Sequence, residues 1–350
     1  MDLLRIFALL MMMQGHTFDA LLSENLRSTD SIFFNIWYNF RGFTAPVFIF
    51  TAGAVFAYLL FSSNGGVNKF RLRKGVKRAL ILLGIGYLLR YPTYKIFVFN
   101  NVSRAQWKTF FAVDALHLIG AGILTVAALT YLVSKRNNLS KYFFLGFGFL
   151  IFLLSPAVNN INWTAFLPLP AANYFTAQHG SLFPLFPWMG YIFLGAQLGL
   201  LIAEKPDIIK KKNFPVINGL IAIGLFTFYY FLKNPGNDLL FAVEYSLILK
   251  RISFIFLLVT FFSMLSFDVK SLPAFLNLIA RNSLFIYAGH LIMVYGWVFS
   301  PGISKYYYRS LSFTQTLIIF LTIFTIIFGL IYGINKFRNG NKKPRLTAEV

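Results

Sequence analysis

The stretch LLRIFALLMMMQGHTFDALL, residues Leu3–Leu22, is long and apolar enough to cross a bilayer, yet it carries ionisable side chains. Arg5 and His16 are eleven residues apart, about 20° from three whole helical turns, so they share one helix face. Asp19 follows His16 by three residues and is within reach on the same helix. Ionisable groups in hydrocarbon are costly unless they find a partner or a wet cavity. We therefore predict that this helix carries function.

The composition is typical of a membrane protein. The chain has 350 residues, of which 57% are hydrophobic and 12% are charged, and its mean hydropathy is +0.66. Soluble domains average about 25% charged residues. In a membrane protein the excess lysines and arginines behind the net charge of +21 are explained by topology, because they mark the cytoplasmic loops. They do not indicate nucleic-acid binding. With no cysteine, the sequence excludes disulfides, thiolate nucleophiles and cysteine-ligated metals.

Ten apolar segments approach the length of about 20 residues that a bilayer requires. We predict an all-α polytopic membrane protein with one transmembrane domain over residues 1–336 and a basic cytoplasmic tail over 337–350. The predicted spans are Leu3–Leu22, Phe43–Ser62, Ala79–Phe97, Val113–Val133, Tyr142–Val158, Phe183–Ala203, Phe214–Leu232, Leu249–Phe267, Leu276–Phe299 and Phe313–Asn335.

Loop charges orient these spans. The turns after the even-numbered spans, the C-terminal tail, Arg5 and Arg281 together hold 21 of the 32 lysines and arginines. Excess positive charge marks the cytoplasmic side. Both termini are therefore predicted to be cytoplasmic, and the aromatic and proline-rich loops to be external.

Three of the four histidines fall within predicted spans: His16, His117 and His290. Each is either a structural histidine bonded to a neighbouring helix or a catalytic group. With Asp114, three residues before His117, they are competent metal ligands, but no close spacing such as HxxxH is present, and we predict no metal. A histidine acting as general base or nucleophile toward an acyl group remains, with Asp19 or another acid orienting it.

Cationic and aromatic residues suggest two binding faces. On the cytoplasmic side Arg5, Arg281 and the basic cluster that includes Arg78 can hold a phosphate-rich donor by charge. On the external side Trp37 and Arg41 belong either to an interfacial belt or to a surface on which a sugar can stack.

The spacing of Arg5 and His16 is similar to the R-x10-H motif of the acyltransferase-3 superfamily. More closely, the chain resembles the bacterial relatives of heparan-alpha-glucosaminide N-acetyltransferase, through motifs in the first, second, fourth, sixth and ninth spans. These motifs are MQGHTFDALL, FRGFTAPVFIFTAG, DALHLIGAG, LFPWMGYIFLGAQLG and RNSLFIYAGHLIMVYG.

The resemblance implies an enzyme of ten or eleven helices in the bacterial cytoplasmic membrane, which passes an acyl group, usually acetyl, from cytosolic acyl-CoA to an extracytoplasmic acceptor. It assigns the catalytic role to His16 and identifies Arg5 as the arginine of the motif. Trp188, Asn282 and Ser283 fall on similarly patterned positions and are predicted to contact substrate. We expect this protein to lack the large lumenal domain of the heparan enzyme, and we therefore expect an envelope glycan or another hydroxyl or amine as acceptor.

A second class of function fits the same residues. In a transporter or flippase for an anionic glycolipid, buried histidines, arginines and aspartates line the translocation route. Acyl-CoA binding separates the two hypotheses, because the enzyme binds it and a flippase does not.

Overall fold

The chain is described here by a computed structural model that covers residues 1–62, 67–95, 97–134, 142–234, 241–267, 269 and 271–340. Several basic residues used to orient the spans lie outside these ranges, namely Lys135, Arg136, Lys141, Lys270, Lys342, Lys343 and Arg345. Most of the predicted tail over 337–350 also lies outside them.

Within the described residues the architecture is α-helical, with one short β-hairpin of β1 (Gly296–Trp297) and β2 (Ser300–Pro301). The helices are α1 (Asp2–Leu21), α2 (Ile32–Phe61), α3 (Lys69–Leu89), α4 (Arg104–Phe110), α5 (Ala115–Ser134), α6 (Phe143–Asn159), α7 (Leu169–Ala172), α8 (Leu185–Glu204), α9 (Asn213–Lys233), α10 (Ala242–Leu265), α11 (Ala274–Arg281), α12 (Ser283–Tyr295), α13 (Ser304–Tyr307) and α14 (Phe313–Gly340).

Six of the described helices are long and apolar enough to cross a membrane: α2, α5, α8, α9, α10 and α14. The number becomes seven if the pair α11 and α12, bent by 72°, counts as one span. The predicted all-α membrane architecture is thus confirmed, whereas ten spans and cytoplasmic termini stay predictions. Helix α1, which carries Arg5, His16 and Asp19, is not among the six.

Helix α14 illustrates how these helices meet lipid. Ile323, Ile327 and Ile331 are 1%, 2% and 3% exposed and form one buried face. On its other faces Ile318 and Leu330 are 57% and 52% exposed. A soluble protein rarely exposes so large an apolar surface, so these faces are suited to hydrocarbon.

Two compact units make up the chain. The first comprises residues 3–8 and 42–270, and within it α3 packs on α5, α6 on α8, and α9 on α10. The second comprises residues 9–41 and 271–350, and within its described part α12 packs on α14 and α11 contacts both. The catalytic candidates fall into both units, and each unit is described below by itself.

Several helices differ in their limits from the predicted spans. Helix α3 begins ten residues before the predicted Ala79, because the Asn68 side chain accepts a hydrogen bond from the Arg71 backbone N–H and caps it. It ends at Leu89, two residues before the Tyr91–Pro92 pair, which disfavours helix. Arg90 therefore lies at a helix end and not inside a span.

The second helix starts eleven residues earlier than predicted and takes in most of a segment expected to be an external loop. The ninth predicted span is two helices, α11 and α12, that meet at Asn282. Such a break frees backbone hydrogen-bonding groups, which membrane proteins tolerate where the groups are buried or line a cavity. The predicted site residues Arg281, Asn282 and Ser283 lie at this break.

Candidate functional site

His16 in α1 and Tyr295 at the end of α12 are in direct contact in the second unit. The His16 Nδ1 and the Tyr295 hydroxyl oxygen are 3.1 Å apart, and the same hydroxyl lies 3.4 Å from the His16 backbone oxygen. The two rings meet edge to face, with their centroids 5.6 Å apart. His16 is partly exposed. A phenol therefore holds the imidazole that the sequence predicts to be catalytic.

Only one of two proton arrangements leaves this imidazole with a lone pair that is not already in a hydrogen bond to Tyr295. If the Tyr295 hydroxyl donates to the His16 carbonyl, its oxygen can accept Nδ1–H, and Nε2 keeps a lone pair. If the hydroxyl donates to Nδ1, a neutral His16 carries its proton on Nε2, and its one lone pair, on Nδ1, is occupied by the tyrosine. The pair thus controls which nitrogen can react.

His290 lies beside His16, with ring centroids 5.5 Å apart. Its side chain is fully buried, and its Nδ1 is 2.9 Å from the Ile286 carbonyl oxygen. Because a carbonyl can only accept, this Nδ1 carries a proton, and in the neutral ring Nε2 has the lone pair. That Nε2 has no hydrogen-bond partner among the described residues. His290 is thus a buried acceptor next to the candidate base.

The turn after α12 determines where Tyr295 lies. Gly296 has a φ of +80°, and a Cβ at this position would lie 2.3 Å from the Gly302 nitrogen. The chain then forms the β1–β2 hairpin, and the Ile303 N–H donates to the Met293 carbonyl at 2.9 Å. Glycine at 296 is therefore required to stop the helix at Tyr295 and hold the phenol in place.

Asp19 is bound by arginines. Arg41 forms an ion pair with its carboxylate, and the Arg27 Nη2 lies 2.8 Å from the same oxygen. Arg27 also forms an ion pair with Glu24, and Arg309 contacts the Glu24 carboxylate at 3.2 Å. The predicted role of Asp19 as partner of His16 stays a prediction, because its described hydrogen bonds go to arginines.

Arg41 is also placed against aromatic rings. Its guanidinium carbon lies 5.6 Å from the Trp37 ring centroid and 5.0 Å from that of Tyr38. The Trp37 Nε1 donates to the Gln14 side chain at 3.1 Å. The structure therefore brings together Trp37 and Arg41, both predicted to bind substrate, in the unit that contains His16.

A second buried histidine belongs to the first unit. His117 is fully buried, its Nδ1 lies 3.0 Å from the Asp114 carboxylate, and the Arg90 Nε donates to that carboxylate at 3.1 Å. The Tyr87 ring stands edge-on to the imidazole at 4.3 Å, and its hydroxyl meets that of Tyr174 at 3.1 Å. Burial and this hydrogen bond raise the pKa of Tyr174.

Helix α3 closes off the other side of the His117 ring. A Cβ on Gly86 would lie 2.7 Å from Cε1 and 2.9 Å from Nε2 of His117. The backbone of α3 therefore rests on the imidazole. Although Asp114 and His117 resemble a catalytic acid–histidine couple, their surroundings favour a structural tie between α3 and α5.

The remaining predicted residues are divided between the units. Trp188, near the start of α8, stacks under the guanidinium of Arg251 at 4.6 Å. Arg5 and Arg78 belong to the first unit, whereas Arg281 belongs to the second. The described residues contain no group of three or more metal-ligating side chains that could hold an ion.

The structure also shows residues that the sequence analysis did not single out. Tyr295 is 279 residues from His16, and no local pattern could have paired them. Arg251 lies well inside α10, which begins seven residues before the predicted span. Its position in the apolar run SLILKRISFIF was a usable signal.

No curated protein and no solved structure matches the chain. The family model described as "Heparan-alpha-glucosaminide N-acetyltransferase, catalytic" matches residues 1–235, which include His16, Asp19 and the Asp114–His117 pair. The match ends before the α11–α12 motif that also contributed to the predicted resemblance. That resemblance is nevertheless confirmed: because the match covers about two thirds of the chain, this protein belongs to the heparan-alpha-glucosaminide N-acetyltransferase catalytic family of membrane acetyltransferases.

Proposed function

We propose that this protein transfers an acyl group, most simply acetyl, from cytosolic acyl-CoA to a hydroxyl or amine on an extracytoplasmic glycan, with His16 as the reacting base or acyl carrier. The observation that carries this proposal is the contact of His16 with Tyr295 and His290 in a partly exposed polar cluster. Family membership supplies the reaction class.

The chemistry needs a free lone pair on the His16 Nε2. In direct transfer, the acceptor oxygen or nitrogen attacks the thioester carbonyl carbon, and His16 takes the proton that the acceptor loses. The carbon–sulfur bond breaks, and the proton can then pass to the departing thiolate of CoA. In the two-step route the same Nε2 attacks the thioester carbon and CoA leaves as the thiolate. The acceptor then attacks the acyl carbon, the bond from this carbon to Nε2 breaks, and the proton of the acceptor passes to the CoA thiolate. Both routes require the arrangement in which Tyr295 accepts Nδ1–H.

Trp37, Tyr38 and Arg41 are proposed to bind the acceptor. The two aromatic rings offer faces on which a sugar ring can stack, and Arg41 offers N–H donors for hydroxyl or carboxyl oxygens. Asp19 holds Arg41 in place through an ion pair. Asp19 is thus proposed to position Arg41 for contact with the acceptor. Trp188, Asn282 and Ser283 remain further candidates for substrate contact.

The donor is proposed to bind through cations. Helix α3 begins with a basic sequence whose arginines and lysines are mostly exposed, and Arg5 belongs to the same unit. These groups fit the phosphates of CoA chemically. Arg78 and Arg281 are proposed to contribute, and the acyl-CoA supplies the activated thioester.

The proposed topology has ten spans, with both termini in the cytoplasm of a bacterial cell. It rests on the asymmetric distribution of lysines and arginines along the sequence. The domain over residues 1–336 and the basic tail after it belong to the same proposal.

A thiol assay tests the proposed reaction cleanly, because the chain has no cysteine and every new thiol must come from CoA. Purified protein receives acetyl-CoA and glucosamine, and CoA release and acetylglucosamine are both measured. General-base catalysis contributes about 10²–10⁴-fold, so His16→Ala should lose most of the turnover while still binding acetyl-CoA. His179→Ala serves as the matched control, because His179 is the histidine that does not lie in a helix.

Two results would contradict the proposal. Near-normal turnover per folded molecule in His16→Ala would remove His16 from the reaction. A wild-type protein that neither binds nor cleaves acetyl-CoA would favour the transporter hypothesis instead.

A further inference from the structure

An apolar cavity of about 1050 Å³ lies in the first unit, and no histidine is among its described lining residues. It is lined by α6 and α8 on one side and by α9 and α10 on the other, with Phe149, Leu201, Ile221 and Phe256 as one residue from each helix. Ligand pockets span about 300–1,000 Å³. The cavity is therefore large enough to hold a substantial ligand.

Two polar side chains in the cavity wall, Asn218 and Gln197, already have hydrogen-bond partners in the protein. Asn218 donates to the Phe214 carbonyl at 2.7 Å, and the Gln197 side-chain oxygen accepts the Leu145 N–H at 3.1 Å. Both side chains are thus already engaged with the backbone. What the wall offers to an occupant is mainly aliphatic and aromatic carbon, which binds hydrocarbon.

One end of the cavity is polar, and because Asp207 is paired with Lys210, the two lysines there exceed the remaining carboxylate, Glu204, by one positive charge. Lys205 and Lys211, on the turn that joins α8 to α9, line this end together with Glu204 and Asp207. Lys210 already neutralises Asp207 through an ion pair at 3.4 Å. Neither Lys205 nor Lys211 has an ion pair with a carboxylate among the described residues. These two ammonium groups can therefore hold an anion.

The length of the cavity matches one leaflet of a bilayer. Its lining on α9 runs from Asn213 to Leu225, which is about 18 Å at 1.5 Å per residue. The hydrocarbon core of a bilayer is about 30 Å thick. The occupant thus needs a charged end at the Lys205–Lys211 turn and a hydrocarbon part about as long as half the membrane.

We propose that this cavity is a binding site for an anionic phospholipid, whose phosphate lies between Lys205 and Lys211 and whose acyl chain enters between α6 and α9. Each lysine near an anionic headgroup contributes about fivefold in affinity. The site should therefore prefer phosphatidylglycerol over phosphatidylcholine. None of its lining residues belongs to the proposed catalytic or donor sites.

Native mass spectrometry tests the proposal on the full chain, purified in detergent, delipidated and titrated with phosphatidylglycerol or phosphatidylcholine. We expect one tightly held phosphatidylglycerol. Ile221→Trp fills the cavity and should abolish this binding. Ile223→Trp, on the same helix but 65% exposed and not lining the cavity, is the matched control and should retain it.

A second pair of variants tests the headgroup contact. Lys211→Gln should weaken phosphatidylglycerol about fivefold, whereas Lys212→Gln, at the neighbouring exposed lysine that does not line the cavity, should change little. Equal lipid binding by Ile221→Trp and Ile223→Trp would overturn the site. Equal affinity for the two phospholipids would overturn the anionic headgroup, and displacement of the lipid by palmitoyl-CoA at lower concentration would instead identify an acyl-donor site.

Discussion

Replacement of Tyr295 by phenylalanine removes the hydroxyl that contacts His16 and keeps the ring that packs beside it. A hydrogen bond between neutral groups contributes about 0.5–1.5 kcal/mol, and one to a charged group about 1.5–3 kcal/mol. In the proposed reaction His16 is neutral at the start and an imidazolium in the transition state. The bond from Nδ1–H to Tyr295 therefore stabilises the transition state more than the ground state, by about 1–1.5 kcal/mol.

This difference corresponds to a loss of about 5- to 13-fold in kcat for Tyr295→Phe. The binding of acetyl-CoA should stay unchanged, because the hydroxyl is proposed to contact the base and not the donor. A fall in kcat with unchanged donor binding is therefore the expected pattern. A tyrosine that acts only in packing would not produce it.

The assay measures CoA release per folded molecule, with folded protein counted by acetyl-CoA titration. Tyr306→Phe is the control, since Tyr306 follows the same hairpin but is 67% exposed. Unchanged kcat in Tyr295→Phe would refute the proposed control of the His16 tautomer. A loss of turnover that occurs equally in Tyr306→Phe would also refute it.

Three further outcomes are expected. Gly86→Ala should destabilise the folded protein by about 1–3 kcal/mol, because the added methyl meets a buried imidazole; an unchanged thermal midpoint in detergent would contradict this packing. Arg41→Ala should raise KM for the acceptor about ten- to a hundredfold, and Arg41→Lys should recover part of the loss; equal KM values for wild type and Arg41→Ala would exclude Arg41 from acceptor binding. In intact cells an impermeant thiol reagent should label His179→Cys and not Lys74→Cys, and the reverse pattern would invert the proposed topology.

The sequence predicted best those helices whose limits follow from their own composition. Helices α1, α5 and α9 begin and end within two residues of the predicted spans, because apolar runs of membrane length are bounded there by polar or charged residues. The predicted start of α3 was wrong because its first two turns are basic, and a search for apolar runs missed the cap at Asn68. Hydropathy alone does not detect capping.

The ninth span shows a second limit of the method. The run from Leu276 to Phe299 is continuous in hydropathy, yet the chain bends by 72° at Asn282 and leaves the helix again at Gly296. Both changes depend on contacts with residues distant in sequence or on backbone geometry. Hydropathy reports how apolar a segment is and does not report its direction.

The candidate site could be predicted as a set of residues but not as a set of partners. His16 and His117 look alike in sequence, because each lies in an apolar run with an aspartate three residues away. In the structure the Asp114 carboxylate contacts the His117 ring, whereas the described hydrogen bonds of Asp19 go to arginines and His16 bonds to a phenol from α12. Sequence spacing therefore suggested the same couple twice. The structure shows direct contact in the Asp114–His117 couple, and the His16–Asp19 couple stays a prediction.

The two couples differ in a way that bears on catalysis. The Asp114 carboxylate contacts the His117 ring, and the α3 backbone at Gly86 leaves no room for a substrate beside the His117 Nε2. A neutral phenol can orient the ring without fixing a charge on it, and His16 is partly exposed. A base must be neutral before it reacts and must be reachable by the acceptor. Of the two histidines, His16 is the one with a neutral partner and partial exposure, which is the physical reason to propose it for the reaction even though His117 has the more familiar partner.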